Sequence, residues 1–379
     1  MQRLKIAYIT SEDAHNKHAW SGTTYYVAKS LQKHIGDVDF LGPVSPVFLQ
    51  FICQVFNKIS LLIFNKRFDY RHSRIMSKAY ARIFSKKMQN KKYDLIVSPA
   101  GVGYVAYLKT TIPIVLICDR TIAGAISYHE SLSKLWSFSL KQTLETEKLA
   151  LQNCSKVIYS STWAADAALK EYKIPEKIVS IPFGANMDHV IAKENIQLRL
   201  SNKTCKLLMV GTSWENKGGP IAYECLLELI KMGIDSELII VGCVPPKKFK
   251  HDKFKVIPFL KKNIEADLKK MEELYLDANF FILPTRFDAF GIVFCEAASY
   301  GLPSLGSNTG GVGSALVDNQ NGYLMPSNAN GVDYAKKISD VWNNKETYKN
   351  SIEKSRKCFD EQLNWDFWAK SFEKTIGDL

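Results

Sequence analysis

No two cysteines in this sequence are spaced as C-x-x-C, although the 379-residue chain contains eight of them. Most lie in apolar segments, as Cys243 does at the end of LIIVGC (238–243). This scatter argues against a disulfide framework or a zinc site and predicts small buried side chains in a reducing compartment. Histidine is scarce too, and His15 and His18 form the single close pair, so we expect no metal site.

The pattern also lacks a secretory signal and a long membrane segment. The first ten residues, which end at Thr10, enter a strand-like alternation without an apolar core and cleavage site, which predicts a cytoplasmic protein. The most apolar segment, 47–64, is interrupted by Gln50, Gln54 and Lys58. It is shorter than the roughly 20 residues of a membrane span, and we therefore predict that it does not cross a membrane.

Acidic side chains are scarce in the first half of the chain. Residues 1–190 contain 25 Lys and Arg against 14 Asp and Glu, whereas residues 191–379 contain 25 against 24. Eleven of the basic residues fall within 58–92, where Asp69 is the one acid. Two interpretations stay open. Residues 47–92 lie on an anionic membrane surface, or they form a core helix followed by a solvated one.

A dinucleotide-binding fingerprint is absent as well. Residues 10–24 contain no G-x-G-x-x-G after the first predicted strand, which argues against an NAD-dependent oxidoreductase. Nucleic-acid surfaces interleave aromatic residues with basic ones, whereas here Tyr70 and Tyr80 follow a helical pattern and Phe84 is expected to face the core. We therefore expect no nucleic-acid partner. An oxidoreductase and a non-catalytic basic binding protein remain the alternatives.

Short apolar segments that alternate with helix-like ones are present throughout. Strands are predicted in the first half at 4–9, 38–41, 93–97, 114–118, 156–160 and 179–181. The alternation restarts with strands at 206–212, 237–241, 255–257 and 280–283. This βαβ pattern predicts an α/β fold with two doubly wound halves, and the polar stretch 192–204 indicates the linker between them.

The segment RFDAFGIVFCEA (286–297) follows a predicted strand and carries two carboxylates around an apolar run. Gly291 would begin a helix that ends near Tyr300, because Gly301 and Pro303 follow. Free N–H groups at such a helix start suit a phosphate. Asp288 before the helix and Glu296 within it would accept hydrogen bonds from sugar and ribose hydroxyls. A sugar nucleotide fits this pattern better than a bare nucleotide.

A second loop, GTSWENKGG (211–219), lies between a predicted strand and a helix that opens at Pro220. Its Lys217 is placed to meet a phosphate as a point charge. The loop is not a Walker A motif, because Gly219 stands where Ser or Thr is required.

Four segments of the second half resemble the donor domain of the retaining glycosyltransferases of family 4, which have the GT-B fold. They are VGTSWENKGG (210–219), LIIVGCVPP (238–246), LPTRFDAFGIVFCEAASYGLPSL (283–305) and TGGVGSALVDNQNGYLMP (309–326). Three segments of the first half are similar more loosely: AWSGTTYYVAKSL (19–31), SSTWAADAAL (160–169) and IPFGANMD (181–188).

The resemblance implies two Rossmann-like domains that face a central cleft. The acceptor domain is then 1–190, and the donor domain is 191–361. The terminal segment 362–379 has aromatic residues at helical spacing, and we expect it to pack back on the first domain.

The resemblance also implies roles for individual residues. Glu296 matches the ribose-binding Glu of the family, Lys217 its phosphate-binding lysine, and Gly22 the glycine loop of the first domain. The predicted catalytic residues are Asp288, Lys217 and Asp119. The predicted donor-binding residues are Gly22, Thr212, Lys217, Gly242, Lys262, Asp288, Phe290, Gly291, Ile292, Val293 and Glu296.

Three positions depart from the family pattern. Asp288 stands where a Glu is usual, and Thr212 stands where an Arg often accompanies the lysine, so that Arg286, Lys261 or Lys262 is expected to substitute. Cys118 occupies a position that is His in many members, next to Asp119.

The predicted function is transfer of a sugar with retention, from a UDP- or GDP-sugar to a saccharide or lipid-linked saccharide, in bacterial surface polysaccharide biosynthesis. Lys217 and the helix amides supply the charge that the departing phosphate requires, so we expect no metal and no cofactor. Asp37-Val-Asp39 is formally a D-x-D motif, but it precedes a strand, and two acids leave most positions of a divalent ion unfilled. The predicted location is the cytoplasm, with a peripheral position on the inner face of the membrane.

Overall fold

The computed structural model describes residues 3–126 and 133–379. The chain divides into two compact units, of which the first comprises Met1–Ile181 with Ala369–Leu379 and the second comprises Pro182–Trp368. Each unit contains one six-stranded sheet. The predicted α/β architecture of two parallel, doubly wound halves is confirmed.

The sheet of the first unit has the strand order β2-β1-β3-β4-β5-β6, and all its pairs are parallel. Its middle strands read as unbroken apolar runs, because helices flank a sheet of this kind on both faces. The strand bounds are β1 Leu4–Tyr8, β2 Gly36–Phe40, β3 Leu95–Pro99, β4 Ile114–Cys118, β5 Lys156–Tyr159 and β6 Ile178–Ser180.

The helices of the first unit connect these strands. Their bounds are α1 Thr23–His34, α2 Val47–Phe64, α3 Arg74–Met88, α4 Val102–Val105, α5 Ile122–Ala125, α6 Ser137–Asn153 and α7 Thr162–Tyr172, with 3₁₀ turns at Ala19–Gly22 and Pro175–Lys177. Ser73 and Ser161 begin α3 and α7 by accepting hydrogen bonds from backbone N–H groups of the first turn.

Helix α2 differs from the sequence-based expectation in two respects. It has 18 residues and a mean hydropathy of 1.8, and it is the one helix among the described residues that is long and apolar enough to cross a membrane by length and composition. The helix is therefore longer and more apolar than the sequence-based expectation allowed. The core-helix interpretation is wrong, because only Cys53 and Ser60 of α2 are buried.

The sheet of the second unit has the order β12-β11-β10-β7-β8-β9 and is also parallel throughout. Strand β7 lies between β10 and β8, so the chain reverses direction across the sheet at this point. The strand bounds are β7 Cys205–Val210, β8 Ser236–Val241, β9 Phe254–Ile257, β10 Phe280–Leu283, β11 Ser304–Ser307 and β12 Gly322–Met325.

The helices of the second unit are α8 Lys193–Ile196, α9 Gly219–Lys231, α10 Glu265–Asp277, α11 Ile292–Ser299, α12 Val312–Ala315, α13 Gly331–Trp342 and α14 Lys345–Glu361, with a 3₁₀ turn at Gln197–Ser201. The last helix, α15 Trp365–Ile376, begins in the second unit and continues into the terminal segment of the first. Residues 182–190, which the sequence placed in the first domain, have contacts in the second unit. There the Phe183 ring lies 5.4 Å from that of Phe290, and the N–H of Ala185 donates to the carbonyl of Leu363.

All eight cysteines are buried and none forms a disulfide. This confirms the sequence-based interpretation of them as small core side chains. Burial raises the pKa of cysteine thiols in both units, for example that of Cys154 in the first and that of Cys225 in the second. Because the thiolate is the reactive form, a raised pKa lowers the reactivity of these thiols.

Candidate functional site

Three loops that follow strands of the second unit converge at one edge of its sheet. The N–H of Arg286, in the loop after β10, donates to the carbonyl of Asn216, in the loop after β7, at 2.9 Å. The N–H of Gly311, after β11, donates to the carbonyl of Asp288 at 2.9 Å. Ligands of open α/β sheets bind at the carboxyl ends of strands near the point where the strand order reverses, and these loops lie there.

Helix α11 begins at this edge. Gly291 precedes its first residue with φ 86°, a left-handed conformation that glycine adopts without strain. A Cβ at this position would also lie 2.8 Å from the ring of Phe294. The N–H groups of Ile292 and Val293 belong to the first turn and have no acceptor within the helix. The start of α11 therefore has the geometry of an anion site.

Lys217 and Asp288, which the family resemblance assigned to one donor site, form an ion pair that the sequence did not predict. The ammonium of Lys217 lies 2.5 Å from the carboxylate of Asp288, and the two side chains are 23% and 18% exposed. Close packing holds the lysine stem, because a Cβ at Gly211 would lie 2.9 Å from its Cγ. A Cβ at Gly218 would lie 1.9 Å from the carbonyl oxygen of Pro284, so this loop requires its glycines.

Glu296 is held in a second cluster. Its carboxylate accepts hydrogen bonds from Lys262 at 2.7 Å and from the phenol of Tyr275 at 3.3 Å. Burial, and then the charge of Glu296, raise the pKa of Tyr275 well above its usual value, so the phenol stays a donor. Sequence reasoning missed Tyr275, because its position on α10 reads as an ordinary core-facing aromatic.

The other predicted donor-binding residues have more varied surroundings. Gly242 has φ 102°, and a Cβ there would lie 2.8 Å from the carbonyl oxygen of Gly211, so these two loops approach closely. Thr212 is exposed in the loop after β7. Phe290 is buried and packs on Phe183, which makes it a supporting side chain of the loop.

Gly22 and Asp119 lie in the first unit, where Trp20 connects them. Trp20, Ser21 and Gly22 have φ values of 47°, 59° and 94°, three successive residues in the left-handed region. A tryptophan there is a strained conformation that must be supported by its surroundings. The indole N–H of Trp20 donates to the carboxylate of Asp119 at 2.9 Å, and Gly22 directly precedes α1.

Cys118 does not offer the chemistry of the histidine that many family members have at this position. It is the last residue of β4 and is buried. Burial, followed by the charge of Asp119, raises the pKa of its thiol well above the usual value. The group is therefore a neutral thiol within the sheet.

A cavity of about 710 Å³ lies within the first unit and has Asp119, Trp20, Arg120, Arg71 and His72 in its lining. The imidazole Nδ1 of His72 lies 2.8 Å from the carboxylate of Asp69. Asp69 also accepts a hydrogen bond from Thr143 at 3.0 Å. Sequence reasoning treated this part of the chain only as a basic helix and missed the cavity.

Electrostatics fixes the state of this cluster. Burial alone raises the pKa of Asp69, but the charge of His72 and the hydrogen bonds from His72 and Thr143 outweigh it, so the pKa lies below its usual value. Asp69 is thus an anion that orients the imidazole. Within residues 3–126 and 133–379, no group of three His, Cys, Asp or Glu side chains is arranged to hold a metal ion.

Two family models match the chain. The model described as glycosyl transferases group 1 matches residues 191–358, and the model described as glycosyltransferase family 4 matches residues 23–189. Between them they cover most of both units.

Curated relatives match parts of the chain. An uncharacterised glycosyltransferase of Methanocaldococcus jannaschii is 29% identical over 101 residues, which are 27% of this chain and 28% of the relative. The UDP-Gal:alpha-D-GlcNAc-diphosphoundecaprenol alpha-1,3-galactosyltransferase of Escherichia coli is 26% identical over 274 residues, which are 64% of this chain and 65% of that enzyme. The chain thus spans under a third of the first relative and about two thirds of the second.

Among solved structures, Anabaena HepE in complex with UDP and glucose superposes with a TM-score of 0.66 and 14% identity, over 100% of both chains. At this identity the likeness shows the fold alone. Together with the matched family models, it confirms the GT-B fold predicted from the sequence.

Proposed function

Because the chain belongs to the glycosyltransferases of the group 1 and family 4 type, we propose that it transfers a sugar with retention from a UDP- or GDP-sugar to a saccharide or lipid-linked saccharide. The product would belong to a bacterial surface polysaccharide. Family membership argues against the two alternatives considered from the sequence, an oxidoreductase and a non-catalytic binding protein. A nucleotide-sugar donor is common to the family, and the finer assignments rest on the site.

The observation that carries the proposal is that Lys217 pairs with Asp288 just before α11, while Glu296 lies within that helix. Cleavage of the bond between the anomeric carbon and the diphosphate leaves negative charge on the departing phosphate. Prepositioned donors stabilise such charge most effectively. The Lys217 ammonium and the N–H groups of Ile292 and Val293 would supply them.

Donor binding would exchange existing ion pairs for contacts with the nucleotide sugar. The diphosphate would take Lys217 from Asp288, which frees that carboxylate to accept a hydrogen bond from a hydroxyl of the transferred sugar. The ribose diol would donate to Glu296, while Tyr275 keeps one carboxylate oxygen in place. Lys262 would then turn toward the diphosphate. There it would supply the positive charge that family members obtain from an arginine at the position of Thr212.

The first unit would supply the acceptor side of the reaction. Asp119, oriented by the indole of Trp20, would accept a hydrogen bond from the acceptor hydroxyl. Gly22, which precedes α1 without a side chain, would allow the donor phosphate to approach. Since two lysines and a helix start provide the positive charge, the proposed reaction uses no metal and no cofactor.

UDP is favoured over GDP as the donor nucleotide. The Escherichia coli relative is named for UDP-Gal, and the Anabaena structure contains UDP. The proposed location is the cytoplasm, peripheral to the inner face of the membrane through residues 47–92.

The experiment that tests the proposal is thermal stabilisation by UDP, GDP and ADP and their glucose, galactose and N-acetylglucosamine conjugates. A ligand that binds only the folded chain raises the Tm, and we expect UDP conjugates to do so most. Lys217→Ala and Glu296→Ala should lose most of that rise, whereas the exposed control Lys231→Ala on α9 should keep it. An equal rise in all four proteins would refute the site.

A further inference from the structure

Helix α2 exposes a continuous apolar face. Phe48, Phe51 and Leu62 are 79%, 62% and 76% exposed. The face comprises Val47, Phe48, Phe51, Ile52, Val55, Phe56, Ile59, Leu62 and Ile63, all with more than a third of their surface exposed. Contiguous apolar surfaces of this kind mark interaction sites.

The opposite stripe of α2 is attached to the body of the first unit by polar contacts. The hydroxyl of Ser60 donates to the carbonyl of Lys66 and accepts from the indole of Trp136 at 2.7 Å. The side-chain oxygen of Asn57 accepts from the N–H of Phe68 at 2.7 Å. Because these polar contacts hold one side of α2 against the protein, lipid cannot surround the helix. A binding partner can contact only its apolar face. An interfacial helix in the plane of a bilayer has this arrangement.

The charge of the segment that contains α2 indicates which surface it faces. Lys58 and Lys66, at the helix and just beyond it, are exposed. Further along the chain, on and after α3, several basic side chains are exposed and form no ion pair with a described residue: Arg82, Lys86, Lys87 and Lys92. Exposed lysine and arginine side chains are attracted to anionic lipid head groups. A second protein copy would carry the same positive charge and be repelled.

The cavity of the first unit begins at this helix. Val44, Ser45 and Gln50, at and just before the start of α2, are among its lining residues. Tyr70 also lines it and accepts a hydrogen bond from Gln54 of α2 at 3.4 Å. One wall of the cavity is thus continuous with the helix that carries the apolar face.

The cavity lining carries charges of both signs. Next to Tyr70, burial alone lowers the pKa of Arg71, but Tyr70, Asp69 and Tyr104 outweigh this and raise it, so Arg71 is a fixed cation directly after the residue that contacts α2. At the carboxyl ends of the strands, the lining includes the carboxylates of Glu12 and Asp119 and the cation Arg120. Guanidinium groups bind phosphates, and carboxylates accept hydrogen bonds from hydroxyls.

We propose that α2 lies in the head-group layer of an anionic bilayer and that the cavity binds the glycosyl phosphate of a lipid-linked acceptor. Arg71 takes the phosphate at the α2 side, where the lipid leaves the cavity. Glu12 and Asp119 take the sugar hydroxyls at the sheet edge. This inference rests on the proposed glycosyl transfer and names the acceptor class of that reaction.

The phosphate site is tested by titrating the full chain with geranyl phosphate and with geraniol, its uncharged counterpart. A charge-assisted hydrogen bond is stronger than a neutral one, so the phosphate should bind at least about tenfold tighter. Arg71→Gln should abolish that preference. Lys170→Gln, an equal charge change at an exposed position of α7, should retain it. Equal affinities for the two probes, or equal losses in the two variants, would overturn the assignment.

Glucose 1-phosphate separates a lipid-linked acceptor from a soluble one. Binding of glucose 1-phosphate as tight as that of geranyl phosphate would overturn the lipid part of the proposal. Weaker binding by tenfold or more would support it.

The docking surface is tested by flotation with vesicles of phosphatidylcholine alone and with phosphatidylglycerol added. The wild type should bind the anionic vesicles preferentially, and the double variant Phe48→Ser/Phe51→Ser should not. The control Val190→Ser/Val244→Ser, which removes two exposed apolar side chains elsewhere, should bind like the wild type. No binding by the wild type, with a dimer that the Phe48→Ser/Phe51→Ser variant abolishes, would assign the face to a second copy instead.

UDP binding measured on the same samples separates this inference from the proposed function. Arg71→Gln should leave UDP affinity unchanged while it loses geranyl phosphate. If UDP fails to bind but geranyl phosphate binds through Arg71, the donor assignment fails and the phosphate site stands. If Arg71→Gln also loses UDP affinity, the separate acceptor site is refuted.

Discussion

The ammonium of Lys262 lies 2.7 Å from the carboxylate of Glu296, which is only 6% exposed, while the lysine is 31% exposed. The pair is asymmetric: the anion is buried and the cation is accessible from the surface. Removal of the cation would leave a nearly buried carboxylate with Tyr275 as its one described side-chain donor. The same asymmetry lets Lys262 leave when a ligand supplies new donors to Glu296.

We therefore expect Lys262→Met to lower the free energy of unfolding by about 1–3 kcal/mol, less than the loss at a fully buried pair. The double variant Lys262→Met/Glu296→Gln should recover part of that loss, because no uncompensated charge remains. Thermal or urea unfolding of the four proteins of this double-mutant cycle measures the coupling. Additive effects in the cycle would show that the pair contributes nothing.

Gly291 and Gly233 provide a matched comparison for the start of α11. Both have positive φ, 86° and 79°, but a Cβ at Gly291 would lie 2.8 Å from the ring of Phe294 whereas nothing lies within 4 Å at Gly233. Gly233→Ala should cost only backbone strain, about 1 kcal/mol. Gly291→Ala should cost more than this and also weaken UDP binding, because the ring and the first turn must shift. Equal changes in Tm with unaltered UDP affinity would argue against a site at this helix.

Secondary structure that depends on neighbouring residues could be predicted from the sequence, whereas contacts between residues far apart in the chain could not. The strand Ile114–Cys118 and the start of α11 after Gly291 were predicted correctly, because apolar runs and helix-start signals are local. Strands β11 and β12, SLGS and GYLM, were not identified, since they are short and contain glycine.

The contacts between distant segments were beyond the sequence. The Lys217–Asp288 pair and the Tyr275–Glu296 hydrogen bond join residues that are 71 and 21 positions apart. The exposure of α2 was equally hidden, because its composition suits a core helix or a membrane surface. The observed packing excludes the core helix, because only Cys53 and Ser60 of α2 are buried.

The Asp69–His72 pair in the first unit predicts an acid-dependent contribution to stability. The folded-state pKa of Asp69 is lowered, so its contribution is fully present above the unfolded value of about 3.9. It is lost as the pH falls from there through the lowered pKa. Asp69→Asn should therefore reduce the Tm at pH 7, and the difference from the wild type should shrink below about pH 4.

The control for this pH dependence is Asp37→Asn. Asp37 pairs with Arg3 at the surface, with 73% of its side chain exposed, and surface pairs contribute little. Its Tm difference from the wild type should be small at every pH. A difference for Asp69→Asn that stays constant down to pH 3 would contradict the proposed role of the carboxylate charge.

Trp20 offers a test of how the first unit orients Asp119. Trp20→Phe keeps an aromatic ring at the strained position but removes the indole N–H that donates to Asp119 at 2.9 Å. Loss of one such hydrogen bond to a charged group corresponds to about 1.5–3 kcal/mol, so kcat/KM for sugar transfer should fall by roughly tenfold or more. The affinity for UDP should fall less than kcat/KM, because the lost hydrogen bond is to Asp119, which is assigned to the acceptor. Trp342→Phe in the second unit, where the ring packs on Phe280 and Tyr348, controls for the loss of an indole as such. If transfer falls equally in both variants, or if UDP binding falls as much as transfer in Trp20→Phe, the indole supports the fold and Asp119 is oriented by other contacts.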